Sequence, residues 1–262
     1  MRAIDLLTAL LLLLGIFPLA KALRANRDTT LWHSLLLALA AWLAWLGVAC
    51  IRALRLGEDR LTVYLGLCLT SGAGIAVLGA RRPGVSAWNF VVAGLLAVLG
   101  LPVLNGMGEL RLEPAHELFL TGTLFVPILN YLPTRLGASA VLTAIACGSE
   151  MMRLMGWKVP GWDLLLLALA PWAAWAALAM RKPTTELDRL WLAYRDRFGF
   201  VWGQRMREQF NRAAHHAGWP VVLRWSGLHQ TAAEPAPDPA ALMAMLRAVL
   251  KRFGPEEENA HG

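Results

Sequence analysis

The chain has 262 residues, of which 57% are hydrophobic and only 16% are charged, and its formal net charge is +7. Soluble domains carry about 25% charged residues, so this composition excludes an ordinary soluble domain, and its apolar content excludes a disordered chain. The apolar residues occur in long blocks, which indicates a membrane protein. The basic residues lie between these blocks and after the last one. Membrane topology and lipid headgroups therefore explain them better than nucleic acid does.

Seven apolar blocks fill the first 180 residues of the sequence. They cover 4–20, 31–51, 61–80, 85–104, 114–132, 136–156 and 162–180. A helix of about 20 residues crosses a hydrocarbon core of about 30 Å and satisfies its own backbone polar groups there. We therefore predict an all-α fold, with a seven-transmembrane-helix bundle over 1–180 and a small, mainly helical cytoplasmic region after it.

The first block also has features of a cleavable signal peptide. Arg2 precedes a leucine-rich stretch, and Ala20-Lys21-Ala22 loosely resembles a cleavage site between small residues. Against cleavage, Asp5 weakens the positive start of the segment, and Lys21 lies inside the proposed site. An uncleaved first helix is the preferred interpretation, and the alternative stays open.

Two proline-containing pairs mark helix boundaries. Glu113-Pro114 is expected to open the fifth helix with a carboxylate at the N-cap and proline at the first helical position. Pro133-Thr134 is expected to end that helix and to cap the sixth. With so short a connection, helices five and six should pack as an antiparallel hairpin.

The orientation follows from the distribution of lysine and arginine. The loops on the two sides of a seven-span bundle carry equal numbers of basic residues, so the termini decide. Arg2 is the only basic residue before the first block, whereas the segment directly after the last block, 181–197, holds five: Arg181, Lys182, Arg189, Arg195 and Arg197. We therefore expect an integral protein of the bacterial cytoplasmic membrane, with its N-terminus outside and its C-terminus in the cytoplasm.

Residues 181–230 form an amphipathic juxtamembrane region. Thr185 and Asp188 are typical of a capping box at the start of a helix. Aromatic residues then recur every three or four positions or a multiple of that spacing, which indicates one helical face: Trp191, Tyr194, Phe198, Trp202 and Phe210. Gly199 and Gly203 are positions where this helix could break in two.

This aromatic face, together with Arg195 and Arg205, is a candidate for docking at the membrane surface or on a partner. The preferred interpretation places the rings in the headgroup zone and the arginines toward anionic lipid. The alternative is that the helix folds with residues 219–228, a short strand or extended segment, and with the last helix into a small docking unit.

The remaining residues, 231–262, begin with a linker rich in proline and alanine. Asp238-Pro239 then starts a short amphipathic helix that is expected to end near Gly254. The acidic end of the chain, from Glu256, is expected to be disordered.

Several chemistries are excluded by what the sequence lacks. All four lysines lie outside the seven blocks, so no lysine can form a retinal Schiff base within the bundle. His33 and His116 would lie on opposite faces of the membrane, which argues against haem. The sequence has no glycine-rich phosphate loop and no CxxC metal motif. We therefore expect no cofactor and no metal, and we identify no catalytic residues.

One group of polar residues is expected to meet at the outer face of the bundle. The candidates for a ligand or ion site are His116, Glu117, Glu150, Arg153 and Asp163. Glu150 lies about six residues inside its block, where a charge costs roughly 2.5–3.5 kcal/mol and normally finds a partner within the bundle. Arg153, one turn later, is the expected partner. The structural interpretation, a self-neutralising pair, is preferred to a functional site.

Small residues recur every four positions on two of the predicted helices. They are Gly66, Thr70 and Gly74 on the third helix and Ala140, Ala144 and Gly148 on the sixth. Such faces let helices approach closely, either within a bundle or between copies of a chain. Packing within the bundle is preferred, and an oligomer remains an alternative.

Together these features favour a membrane scaffold or subunit that contacts the bilayer and docks a cytoplasmic protein through its C-terminal region. A transporter or membrane-embedded enzyme using the carboxylates around Glu150 is the alternative function. Nucleic-acid binding is not expected, because acids along the 185–210 helix offset many of its arginines.

Overall fold

The computed structural model describes residues 2–79, 86–105, 110, 112–180, 185–231 and 237–251. It is all-α apart from one short hairpin. The elements in chain order are α1 (Arg2–Ala25), α2 (Trp32–Leu54), α3 (Arg60–Leu78), α4 (Ser86–Asn105), α5 (Pro114–Tyr131), α6 (Gly137–Leu154), α7 (Asp163–Met180), α8 (Glu186–His216), β1 (Val221–Arg224), β2 (Gly227–Gln230) and α9 (Pro239–Leu250). The first seven helices coincide with the seven apolar blocks.

Four of these helices are long and apolar enough to cross a membrane. They comprise Ala3–Ala25, Trp32–Leu54, Arg60–Leu78 and Asp163–Met180, in the part of the chain that the structure describes. Helices α5 and α6 are more polar than these four, and the described side chains of α4 form an apolar stretch over Asn89–Leu104. A membrane location is thus indicated by four helices, and the seven-span count stays a prediction.

Large side chains and their polar atoms hold the bundle together. Trp45 and Tyr64 are almost fully buried in the core shared by α1–α7. The indole of Trp45 donates to the Thr70 hydroxyl at 3.0 Å, and that of Trp42 donates to the Leu12 carbonyl at 2.7 Å. Buried tryptophans are accommodated because their N–H groups find acceptors on the facing helix.

The first helix runs without interruption through the segment that resembles a cleavage site. Its Leu12 is fully buried, and Gly15 lies so close to Trp42 that an added Cβ would be 2.4 Å from the indole. Helix α1 packs against both α2 and α7. This packing makes α1 a part of the bundle core.

The connections lie at two opposite ends of the bundle. The α1 end consists of the start of α1 and the connections at 55–59 and 155–162, which share a cavity. The α8 end lies at the other extremity of α3, where the Leu78 carbonyl accepts a hydrogen bond of 3.0 Å from the indole of Trp202. The bundle therefore has its first residues at one end and α8 at the other.

Residues 185–231 and 237–251, here named the 185–251 unit, fold into a second cluster beside the bundle. Strands β1 and β2 pair antiparallel, with Val221 opposite Gln230 and Arg224 opposite Gly227. The apolar face of α9, formed by Leu242, Leu246 and Leu250, packs against α8. The extended segment predicted at 219–228 is thus a hairpin that continues to Gln230.

Two predicted helix starts are confirmed, whereas Thr134 does not cap α6, whose N-cap residue is Leu136. The Thr185 hydroxyl accepts from the Asp188 N–H at 3.0 Å, and the Asp238 carboxylate accepts from the Ala240 N–H at 3.0 Å. Pro114 occupies the first position of α5, but the Glu113 side chain makes no capping bond, so that part of the prediction is wrong. Residues 252–262, including the acidic end, lie outside the described residues.

Helix α8 breaks at one glycine only. Gly199 has φ 77° and ψ −164°, a backbone conformation that is essentially restricted to glycine, whereas Gly203 lies within regular helix. The predicted break into two helices is therefore confirmed, and it lies at Gly199. At Gly203 an added Cβ would be 2.9 Å from the ring of Trp225, so this glycine serves close packing.

The small residues of α3 pack inside the bundle, in agreement with the preferred interpretation of their spacing. An added Cβ on Gly66 would be 2.9 Å from Trp45, and one on Gly74 would be 2.3 Å from Pro127. Gly148 on α6, in contrast, is exposed and faces open space. The small-residue face of α3 is thus used between helices of one chain.

Candidate functional site

The centre of the site is Glu150, which is fully buried on the last turn but one of α6. Two arginines hold both of its carboxylate oxygens. Arg52, near the end of α2, donates through Nη1 to Oε1 at 2.6 Å and through Nη2 to Oε2 at 2.8 Å. Arg153 donates through Nη1 to Oε1 at 2.8 Å. The bidentate contact fixes both position and orientation, because the guanidinium fork matches a carboxylate.

Each of these arginines also binds a second acid. Arg52 donates through Nε to Asp59, the residue before α3. Arg153 donates through Nη2 to both oxygens of Asp163, at 3.0 and 2.9 Å, and to the Pro160 carbonyl at 3.1 Å. Five charged residues thus form one network that joins α2, α3, α6 and α7. We name it the ionic network, and its members are Arg52, Asp59, Glu150, Arg153 and Asp163.

The ionic network places three carboxylates around two guanidinium groups. Glu150 and Asp163 are buried, with exposed fractions of 0% and 2%. Taking several charges out of water costs free energy unless each is paired and hydrogen-bonded. The mutual bonds meet that requirement, and they fix the helix ends relative to one another.

An open cavity of about 730 Å³ lies directly beside the ionic network. The cavity is bounded by the start of α1, the end of α2 and the connections at 55–59 and 155–162. Its charged lining consists of Asp5, Arg52, Arg55, Asp59 and Arg153. Glu150 and Asp163 do not line it, because they lie behind the two arginines.

The structure brings three of the five predicted outer residues into one set of bonds. Glu150, Arg153 and Asp163 share the ionic network, whereas none of its bonds involves His116 or Glu117. His116 lies on the first turns of α5 with its Nδ1 buried and unbonded, and Glu117 is half-buried beside it. Within the expected outer cluster, the bonded group is thus Glu150, Arg153 and Asp163.

Sequence reasoning missed two members of the ionic network, Arg52 and Asp59. Arg52 is one of the loop charges that the orientation argument counts, and no role was predicted for Asp59. The available signal was the position of Arg52 near the end of an apolar block. A cation at such a position can pair with a buried glutamate on another helix of the bundle. The partner could not be chosen from sequence, since 98 positions separate Arg52 from Glu150.

A second polar contact holds α8 to the bundle. Asn130, near the end of α5, is buried at the kink of α8. Its Nδ2 donates to the Phe198 carbonyl at 3.2 Å, and its Oδ1 accepts from the Val201 N–H at 2.9 Å. An added Cβ on Gly199 would lie 2.1 Å from that Nδ2. The Asn130 side chain therefore fits the space beside Gly199 and bonds to the backbone groups on both sides of the kink.

Next to this contact, a buried ion-pair chain fixes the first half of α8. Asp196 accepts from the backbone N–H of Arg135 at 3.2 Å and from Nη2 of Arg195 at 2.7 Å. Arg195 also donates to the Trp225 carbonyl at 2.7 Å, and its guanidinium stacks on that indole. Arg195, expected on a solvated polar surface, is instead buried.

The aromatic face of α8 lies inside the protein. Trp191, Tyr194, Phe198, Trp202 and Phe210 are all buried, together with residues of the hairpin and of α9. Burial raises the pKa of Tyr194 well above its ordinary value, so the phenol stays neutral. The preferred interpretation, with these rings in the headgroup zone, is thus corrected, since the rings form the core of the 185–251 unit.

The solvent side of the 185–251 unit is mainly basic. Arg205 is exposed and lies over the Trp202 ring at 5.0 Å. The other exposed arginines of this unit are Arg189, Arg197, Arg212, Arg224 and Arg247, and its exposed acids are Glu186, Glu208 and Asp238. The docking candidates on this unit are therefore its exposed cations rather than its aromatic rings.

Among the described residues, no group of three or more histidine, cysteine or acidic side chains is arranged to hold a metal. Comparison of the chain with protein-family models, with curated proteins and with solved structures finds no match.

Proposed function

We propose that this chain is a seven-span membrane scaffold or subunit that docks an acidic cytoplasmic protein on its C-terminal unit. Four helices have the length and hydropathy of membrane spans. The other three carry large apolar side chains on their outer faces, with exposed fractions of 79% for Phe90, 76% for Leu118 and 47% for Ile145. In water such faces would drive association, whereas in lipid they are satisfied.

The orientation that fits best has the α8 end in the cytoplasm and the first residues outside. An odd number of spans requires the two termini to lie on opposite sides. The basic residues of the 185–251 unit then follow the positive-inside rule. The ionic network lies at the α1 end, on the outer side of the membrane in this proposal.

One observation supports the docking role above all others. The 185–251 unit has an apolar core that also includes Leu31 and Val77 at the bundle end, and Asn130 together with the Arg135–Asp196–Arg195 chain fixes the unit to the bundle. A fixed surface loses little conformational entropy when a partner binds. The excess of exposed arginines over exposed acids favours a partner with an acidic face.

The alternative, a transporter or enzyme that uses Glu150, is less well supported. Both oxygens of Glu150 are engaged by arginines, so this carboxylate would have to leave its partners before it could carry a proton or an ion. The charges of the ionic network serve primarily to join helices in this proposal.

The topology is tested with reporter fusions at the two ends of the full chain. Opposite locations for the two reporters, with the C-terminal one in the cytoplasm, are expected. Both reporters in one compartment would contradict the seven-span proposal.

The docking role is tested by purifying the tagged full chain from native membranes. We expect a stoichiometric protein partner that is retained by wild type and lost in the Arg205→Glu/Arg212→Glu variant. Arg55→Gly, at the opposite end, is the matched control and should retain the partner. The proposal fails if no stoichiometric partner is found, or if charge reversal leaves the partner bound.

A further inference from the structure

We propose that the cavity at the α1 end is a binding site for an amphiphilic anion, namely a carboxylate or phosphate group carried on an apolar body. This inference does not depend on the docking role, since the cavity lies at the other end of the bundle from α8. Its volume of about 730 Å³ falls within the range of about 300–1,000 Å³ that is typical of small-molecule sites.

The charge of the lining favours an anion. Three guanidinium groups and two carboxylates face the cavity, those of Arg52, Arg55, Arg153, Asp5 and Asp59. Asp59 is already bonded to Arg52, and the further acids of the ionic network lie behind the arginines. Arg52 and Arg153 each have five N–H donors, and the recorded bonds leave donors on both of them unused.

Arg55 is the most available cation of the lining. It follows the last residue of α2 in a left-handed conformation, with φ 57° and ψ 44°, and its backbone N–H bonds to the Ile51 carbonyl. Its side chain is exposed, and no ion pair is recorded for it within the described part of the chain. An incoming carboxylate or phosphate could therefore pair with it without breaking an existing bond.

The rest of the lining is apolar and suits the body of such a ligand. Ile4, Ile51, Val159 and Trp162 contribute hydrophobic surface beside the charged groups. Trp162 is 50% exposed, so its ring is free to cover a bound chain. Charged and apolar walls in one cavity match a molecule with an anionic head and a hydrocarbon body.

Two substitutions test separately the charge and the free volume of the cavity. Arg55→Gly removes the free guanidinium at a position where glycine is the preferred residue for the backbone. Gly161→Trp keeps every charge but extends a large side chain from a position where an added Cβ meets nothing within 4 Å. A third variant, Asp5→Asn, removes a carboxylate from the lining and should strengthen the binding of an anion.

The test is native mass spectrometry of the full chain in a neutral maltoside detergent, titrated with decyl phosphate or decanoate. Wild type should form one saturable adduct with each probe. The affinity should fall about ten-fold in Arg55→Gly, as expected for one charge-assisted hydrogen bond. The adduct should be lost in Gly161→Trp and unchanged in Arg24→Ala, a control at the opposite end.

The source of the anion is decided by competition with phosphatidylglycerol. Displacement of decyl phosphate by phosphatidylglycerol would identify a lipid headgroup as the ligand, whereas no displacement would identify a free amphiphilic anion. Either result supports the anion site. The proposal is overturned if no saturable adduct forms, if decyltrimethylammonium binds as tightly as decyl phosphate, or if Arg55→Gly and Gly161→Trp both bind like wild type.

Discussion

Asn130 of α5 occupies the backbone gap that Gly199 opens in α8. Its amide bonds to the groups on both sides of the kink, the Phe198 carbonyl and the Val201 N–H. The two residues are 69 positions apart, and each requires the other. Without the asparagine the kink would leave buried backbone groups unpaired, and with a side chain at Gly199 the asparagine would not fit.

Gly199→Ala should therefore release α8 from the bundle. The new Cβ would collide with Asn130, and alanine is strained at φ 77°. We expect a loss of at least about 2–3 kcal/mol in the stability of this contact. The measurement is limited trypsin digestion in nanodiscs, where cleavage after Arg197 and Arg205 should become much faster. Gly94→Ala, on α4 and with open space around it, should digest like wild type.

Asn130→Ala should weaken the same contact without a steric clash. Two hydrogen bonds are lost and two buried backbone groups lose their partner, which costs about 1–3 kcal/mol. Hydrogen–deuterium exchange should report faster exchange at residues 198–203, with little change in β1 and β2. Unchanged exchange around Gly199 would show that the asparagine does not hold the kink.

Glu150→Gln should destabilise the bundle strongly. The substitution leaves Arg52 and Arg153 partly buried without their central carboxylate, and breaking a buried ion pair on one side costs about 3–5 kcal/mol. Thermal unfolding in nanodiscs should show a large decrease in the midpoint. Glu117→Gln is the matched control, since no bond to the ionic network involves that side chain, and it should unfold close to wild type.

Arg153→Lys should also be destabilising, although the charge is kept. Arg153 reaches Glu150, Asp163 and the Pro160 carbonyl with one planar group. A lysine ammonium is a point charge and cannot replace that geometry. We expect a loss of about 1–3 kcal/mol from the broken charged hydrogen bonds, measured by the same unfolding assay. A midpoint equal to wild type would mean that the bridge between α6 and α7 needs charge alone.

Gly74→Ala should disturb the contact between α3 and α5. The added methyl would lie 2.3 Å from Pro127, so the two helices would have to move apart. Overpacking of this kind costs about 1–3 kcal/mol, again as a lower unfolding midpoint. Gly148→Ala, on the outward face of α6, should unfold like wild type or slightly later, because alanine favours helix more than glycine does. A shift in the oligomeric state of Gly148→Ala would instead assign that face to contacts between copies.

Local sequence patterns were sufficient to predict the helices and some of their ends. Apolar blocks predict helices because hydropathy and periodicity are local properties, and the seven blocks coincide with α1–α7. The caps at Thr185 and Asp238 were likewise visible, because a capping bond joins residues only two or three positions apart.

Tertiary structure alone decided the partners of the polar groups. Depth within its block indicated that Glu150 needs a cation, but Arg52 comes near it only when α2 packs in the same bundle as α6. The aromatic face of α8 was equally visible as a pattern. Periodicity shows that a face will be covered without showing by what, and here the cover is the hairpin, α9 and the bundle end rather than lipid. Such choices depend on contacts between distant segments, which no local pattern encodes.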